Sequence, residues 1–309
     1  MTRLILLILT AVTGLFGCQS APIVSPGFDG VRAFGYLERQ VAFGPRVPGS
    51  RAWELCRGMI RSHFEQLGFK VDSQAIAFQD PYSGEQKPLV NLIVHVEGQD
   101  KSILPIMFAA HWDSRPRCDN STDPARRADS LPGANDGASG VAVLMELGHA
   151  FAKGKPARSI DLVLLDGEDW GREGDMKHYF LGAQYMASTG VRDKYSFGIL
   201  IDMIGDSVQQ IYRESYSESF HKPLNDMVWS TAKKLGITTF IDTVKYAVMD
   251  DHLPLSAAGL PMIDIIDFDY PYWHTELDTP DKCSATALTN VGRVLEEVAY
   301  DKTLWPTKP

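Results

Sequence analysis

The sequence predicts an α/β fold: a single domain on a mainly parallel, mixed central sheet with helices on both faces. Two observations predict it. Short runs rich in Ile, Leu and Val alternate with longer segments of helical spacing, the pattern of parallel strands joined by helical crossovers. The apolar fraction of 44% and charged fraction of 22% over 309 residues are those of an ordinary globular chain with ample material for a core.

Taken in order, Arg3 precedes an apolar run, Leu4 to Leu15, followed by Phe16, Gly17 and Cys18. A positive residue, about a dozen apolar residues and a small residue before the break make an export signal over 1–17. The run falls short of the roughly 20 residues that span a bilayer. Leu15-Phe16-Gly17-Cys18 resembles a bacterial lipobox. The expectation is therefore an exported protein of the bacterial envelope or periplasm, touching membrane only through a lipid on Cys18. Residues 18–30 lack periodicity and read as a tether, and the domain occupies 31–309. Trp53 to Leu67 carries apolar residues at helical spacing and stops at Gly68. Strands are expected at Asn91–Val96, Leu104–Ala110, Ser159–Leu165, Phe197–Met203 and Pro261–Ile266, and helices at Gly140–Ala152 and Leu224–Leu235. Trp53 and Trp229 fall at core positions of helices, and Arg46 is expected to pair with a carboxylate. Without Cys18, the cysteines are Cys56, Cys118 and Cys283, which allow one disulfide at most. No Cys-x-x-Cys pair exists, so spacing excludes a cysteine zinc site. The net charge of −9, with no block of Lys or Arg, argues against nucleic acid as a partner.

In such a sheet, ligands bind just beyond the carboxyl ends of the strands. Those ends carry unusual residues. His111-Trp112-Asp113-Ser114 follows one strand, Asp166-Gly167-Glu168-Asp169 a second, and Asp202 closes a third. Asn135-Asp136-Gly137 opens a helix, and Trp273-His274-Thr275 follows the last strand. Each motif alone reads as a polar turn. Together they gather carboxylates that would repel and take up protons unless a cation lay among them. Imidazole and carboxylate without thiolate suit a catalytic Zn²⁺ that keeps one open position.

Over roughly residues 31 to 300 these motifs resemble the zinc aminopeptidase and glutaminyl cyclase superfamily, and within it the animal-type glutaminyl-peptide cyclotransferases. The resemblance implies Asp136, Asp169 and His274 as zinc ligands, with His111 and Asp202 at a second metal or behind the first. It implies Glu168 as the catalytic acid/base, Asp202 and Asp250 as partners in catalysis, and Trp273 as a substrate-pocket wall. Trp170 is the nearest candidate for a second pocket aromatic. Asp113 and Asp251 flank site residues and are read as orienting them. Pro45-Arg46-Val47-Pro48-Gly49-Ser50 and the double aspartate in Met249-Asp250-Asp251-His252 are similar to the cyclases. Aminopeptidase relatives commonly carry a small polar residue at the position of Asp250. The chain also departs from the animal enzymes. Asp169 stands where they have Glu, and Ala110 precedes His111 where they have a disulfide cysteine. Asn135 to Gly140 is closer to the aminopeptidase form.

The implied activity is conversion of N-terminal glutamine of peptides or proteins to pyroglutamate with release of ammonia. The same residues with a water at the open position would hydrolyse an N-terminal peptide bond, so an exported zinc aminopeptidase is the alternative. A peptide-binding lipoprotein without catalysis would require loss of a ligand or of Glu168, and none is lost. One zinc is expected from the cyclase resemblance. His111, Asp136, Asp169, Asp202 and His274 also complete a two-metal set bridged by Asp136, which leaves two ions open.

Overall fold

The computed structural model describes residues 27–304. The export signal over 1–17, Cys18 and most of the 18–30 tether lie outside the described residues.

The chain enters the fold at helix α1 (Gly30–Ala42), where the Asp29 side chain accepts the Arg32 N–H at 3.0 Å. Before it, Gly27 and Phe28 donate their N–H groups to Glu296, each at 3.1 Å. The end of the expected tether is therefore bound to the C-terminal helix. Helix α2 (Arg51–Gln66) lies where periodicity placed it, capped by Ser50 and ended ahead of Gly68 at φ +88°. A hairpin follows, β1 (Lys70–Gln79) and β2 (Gln86–Val96). Its first strand alternates half-buried and exposed residues, with Val71 alone buried, and has no apolar run, so only the buried end of β2 stood out in the sequence.

Then come β3 (Ile106–His111), α3 (Ala138–Lys153), β4 (Ile160–Leu165), α4 (Leu181–Ser188) and β5 (Gly198–Asp202). They are followed by β6 (Ile211–Arg213), α5 (Ser215–Lys234), β7 (Phe240–Val244), α6 (His252–Ala257), β8 (Met262–Ile266) and α7 (Ala285–Tyr300). Helix α5 starts well before the expected Leu224. Pro223 looks like a helix start in sequence, but Glu214 caps the N–H groups of Tyr216 and Ser217, and the helix kinks at His221.

The main sheet has the order β1-β2-β4-β3-β5-β8. Strands β4, β3, β5 and β8 run parallel, while β2 joins β4 antiparallel. Strand residues alternate between two cores. Phe108, Leu162 and Ile199 face α1, α2, α3, α5 and α7, whereas Met107, Val163 and Leu200 face α4 and α6. Burial on both faces explains why these strands read as unbroken apolar runs. Trp53 and Trp229 are core residues, and Cys56, Cys118 and Cys283 are buried free thiols.

Candidate active site

Four parallel strands end at one edge of the sheet, and each brings chemistry there. Strand β3 finishes on His111, the loop after β4 carries Glu168 and Asp169, β5 finishes on Asp202, and the loop after β8 holds Trp273 and His274. Asp136 precedes α3, and Asp250 precedes α6. Asp136, Glu168, Asp169, Asp202, Asp250, Trp273 and His274 all line one cavity of about 540 Å³.

The turn that presents Asp136 depends on glycine. Gly137 has φ +87°, and a Cβ there would come within 2.8 Å of the Asp113 carbonyl oxygen and 2.9 Å of His111 Cε1. Asp278 accepts the N–H groups of Asn135 and Asp136 at 2.8 and 3.1 Å, and Asn135 in turn accepts the Gly205 N–H at 2.6 Å. The opposite loop is held by Asp113, whose carboxylate accepts the N–H groups of Glu168 and Asp169 at 3.2 and 3.4 Å.

Two groups of donors share Asp136. Asp136 Oδ2 and Asp169 Oδ2 lie 3.7 and 3.4 Å from His274 Nε2. Both oxygens are buried and have no hydrogen-bond partner among the described residues. In the second group, His111 Nε2 lies 3.1 Å from Asp136 Oδ1 and 3.1 Å from Asp202 Oδ1. Asp202 Oδ1 also accepts the Met203 N–H at 2.8 Å. The two groups thus differ: the first leaves bare carboxylate oxygens converging, whereas the second is joined by its own hydrogen bonds.

The electrostatics follow from this crowding. Burial works against a charged His111, yet Asp202, Asp113 and Asp136 hold its pKa well above the ordinary imidazole value. Burial, then the charge of Asp169, pushes Glu168 well above the usual carboxyl range. Burial and Asp202 push Asp250 up to about 8. Asp136 is likewise raised by burial and by Asp169. Asp169 goes the other way: burial opposes its charge, but His274 and Arg115 hold it below the usual range.

Three non-glycine residues among those described have positive φ: Phe180 (57°), Met203 (46°) and His274 (56°). All three line the cavity. Left-handed backbone is costly for such side chains, and its concentration at one site is typical of functional positions.

Two expectations need correction. Trp170 does not line the cavity; its indole donates to Asp80 Oδ1 at 3.0 Å and its ring meets Phe78 edge-on. The aromatic walls are Trp273, Phe268, Tyr179 and Phe180, and the Trp273 ring lies 4.0 Å from that of His274. Among the described residues, Arg46 pairs with no carboxylate. It is buried and donates to the carbonyls of Trp112, Pro132, Gly133 and Asp136 at 3.1, 2.9, 2.6 and 3.4 Å, tying the His111 loop to the Asp136 loop. Sequence reasoning also missed Arg115 and Asp278, which touch Asp169 and Asp136 directly. Neither lies in a motif with recognisable ligand spacing, and only the folded loops bring them to the site.

The donor chemistry fits zinc. Two unpartnered buried carboxylate oxygens and an imidazole nitrogen, all within 4.8 Å of one another, make a three-ligand set of the catalytic kind. Comparison with known proteins agrees. Residues 91–299 match peptidase family M28. The glutaminyl cyclase of Bacteroides thetaiotaomicron, solved with N-acetylhistamine, is 35% identical, with a TM-score of 0.85 covering 90% of this chain and 100% of that one. A structure described as a leucine aminopeptidase precursor from the same organism is also 35% identical, with a TM-score of 0.86 over 91% of this chain and 99% of that one. The glutaminyl-peptide cyclotransferase of Bothrops jararaca is 24% identical over 290 residues, covering 81% of this chain and 76% of its own length.

Proposed function

We propose, from the premise that this chain belongs to peptidase family M28, that it is a zinc-dependent glutaminyl-peptide cyclotransferase acting on peptide or protein N-termini. The single observation that carries the cyclase reading is Asp250. It is a buried carboxyl group on the cavity wall, pushed up to about 8 and therefore mostly protonated at neutral pH. Cyclisation needs a group that holds the γ-amide nitrogen and helps it leave as ammonia, and a neutral carboxyl at this place suits that task.

Asp136, Asp169 and His274 would hold the zinc, which supplies Lewis-acid polarisation of the γ-carbonyl group. The chain's own residues do the rest. The cavity walls of Trp273 and Phe268 hold the glutamine side chain folded toward its own α-amine and keep water out. Glu168 takes a proton from the α-amine as its nitrogen bonds to the γ-carbon. The raised pKa of Glu168 makes its carboxylate a stronger proton acceptor than an ordinary one. The proton passes to the amide nitrogen while Asp250 and Asp202 orient it. The bond from the γ-carbon to that nitrogen breaks, leaving pyroglutamate and ammonia.

One zinc is favoured over two. The oxygens of the His274 group lack partners, whereas His111, Asp136 and Asp202 are already joined to one another. The likeness to a leucine aminopeptidase precursor supports the alternative, N-terminal hydrolysis with the same base. Purified zinc-loaded protein incubated with a glutaminyl peptide and with an amino-acid anilide decides between them. Ammonia and pyroglutamate from the first, without cleavage of the second, is the expected result; the reverse overturns the cyclase. We also place the protein in the bacterial envelope, anchored through Cys18, on the pattern of residues 1–18 alone. Labelled palmitate incorporated by the wild type but not by Cys18→Ala tests this, and equal labelling refutes it.

A further inference from the structure

Asp169 sits in the cavity with its two carboxylate oxygens in different circumstances. Oδ2 has no hydrogen-bond partner among the described residues and points to His274. Oδ1 accepts a hydrogen bond from Arg115 Nη1 at 2.6 Å, and the same nitrogen lies 3.2 Å from the Asp169 backbone oxygen. Arg115 is itself only 2% exposed. The other edge of its guanidinium is also engaged: Nε donates to Asp119 Oδ2 at 3.0 Å, and Nη2 donates to the same oxygen and to the Tyr179 hydroxyl at 3.1 Å.

This is a planar fork used across its width. One edge grips a buried carboxylate and the other is anchored on a half-exposed carboxylate and a phenol. An ammonium on a flexible stem could not hold all these directions at once. Two consecutive stretches of the loop after β3 therefore hold Asp169. Asp113 fixes its backbone N–H, and Arg115 fixes the plane of its side chain.

We propose that Arg115 is the positioning residue of the zinc centre, occupying Asp169 Oδ1 so that Oδ2 alone is presented to the metal. The inference rests on Asp169 being a zinc ligand, as argued above. Two effects of the guanidinium oppose each other. Its charge draws on the carboxylate and weakens it as a donor, while its hydrogen bond stops the carboxylate from turning. Orientation outweighs charge here, because removing the partner that holds a metal ligand typically costs about 10–100-fold in metal affinity.

The test measures zinc affinity by chelator competition in the full chain, with circular dichroism to establish folding. Asp169→Asn should lose tight zinc binding; if it keeps wild-type affinity, the ligand reading itself fails. Arg115→Met should bind zinc about 10–100-fold more weakly. Arg115→Lys, which restores charge but not the fork, should fall between. Asp119→Asn keeps the Arg115 charge and loosens only its far anchor, so a smaller loss is expected. Visible absorption of the cobalt-substituted proteins adds a readout independent of turnover. Its intensity should drop in Arg115→Met as the freed carboxylate brings a second oxygen to the metal. If Asp169→Asn loses zinc while Arg115→Met binds it as tightly as the wild type, the positioning role is overturned. Should Arg115→Met not fold, wild-type affinity in both Arg115→Lys and Asp119→Asn overturns it equally.

Discussion

Asp250→Asn changes the proton inventory of the cavity and little else. The side chain keeps its size and retains an oxygen to accept the Asp251 N–H, the backbone hydrogen bond that the Asp250 carboxyl makes. The replacement cannot give up or take a proton at working pH. In the wild type, burial and the neighbouring Asp202 push this carboxyl up to about 8, so it is mostly protonated at neutral pH and acts as a donor. If it helps the amide nitrogen leave, its loss should cost about 10²–10⁴-fold. That corresponds to about 2.7–5.5 kcal/mol on the barrier. The loss should fall on kcat more than KM, because the interaction strengthens as the nitrogen gains its proton. The assay is ammonia release from a saturating glutaminyl peptide, with zinc content measured on the same preparation. A variant with wild-type zinc that keeps more than a tenth of the rate would refute the role given to Asp250. A second readout comes from stability. The folded-state pKa lies above the ordinary 3.8, so the folded protein keeps a proton that the unfolded chain has released. That contribution is fully present below 3.8 and is lost as pH rises through about 8, with a slope of at most about 1.4 kcal/mol per pH unit. In zinc-free protein, Asp250→Asn should flatten the stability profile across this window.

Glu168→Gln should keep zinc and fold but lose about 10²–10⁴-fold in turnover; a rate above a tenth of wild type would exclude Glu168 as the proton carrier. His274→Ala and Asp136→Ala should each release the metal, and stoichiometric zinc retained in either would end that assignment. Gly137→Ala puts a Cβ against the Asp113 carbonyl and the His111 ring at φ +87°. The left-handed backbone alone costs about 1–2 kcal/mol, so both thermal stability and zinc content should fall, and wild-type values for both would show that the turn relaxes freely.

The candidate site was unusually legible in the sequence. Short polar motifs directly follow apolar runs, so His111, Glu168, Asp169, Asp202 and His274 are flagged by their place after a strand, before any pairing of strands is known. A parallel sheet then requires these ends to meet at one edge. The edges of the fold were less legible. Strand β1 has a half-exposed pattern, and the kink at His221 hides the first turns of α5 behind Pro223. Helix α1 follows a segment whose order comes from Glu296, distant in sequence.

By itself, then, the sequence determined the alternation of strand and helix, the crossing points where polar residues gather, and the chemical kinds of donor available to a metal. These are local properties: period, length, residue type and position after a run. Only the tertiary structure decided which oxygen of each carboxylate is free. Asp136 and Asp169 each turn an unpartnered Oδ2 toward His274, while the other Asp136 oxygen faces His111 and the other Asp169 oxygen is held by Arg115. It likewise turned Trp170 to Asp80 and Arg46 to four carbonyls. The physical reason is that a buried polar atom takes whichever partner the packed loops bring within about 3 Å. That choice depends on distant segments meeting, which no local pattern records.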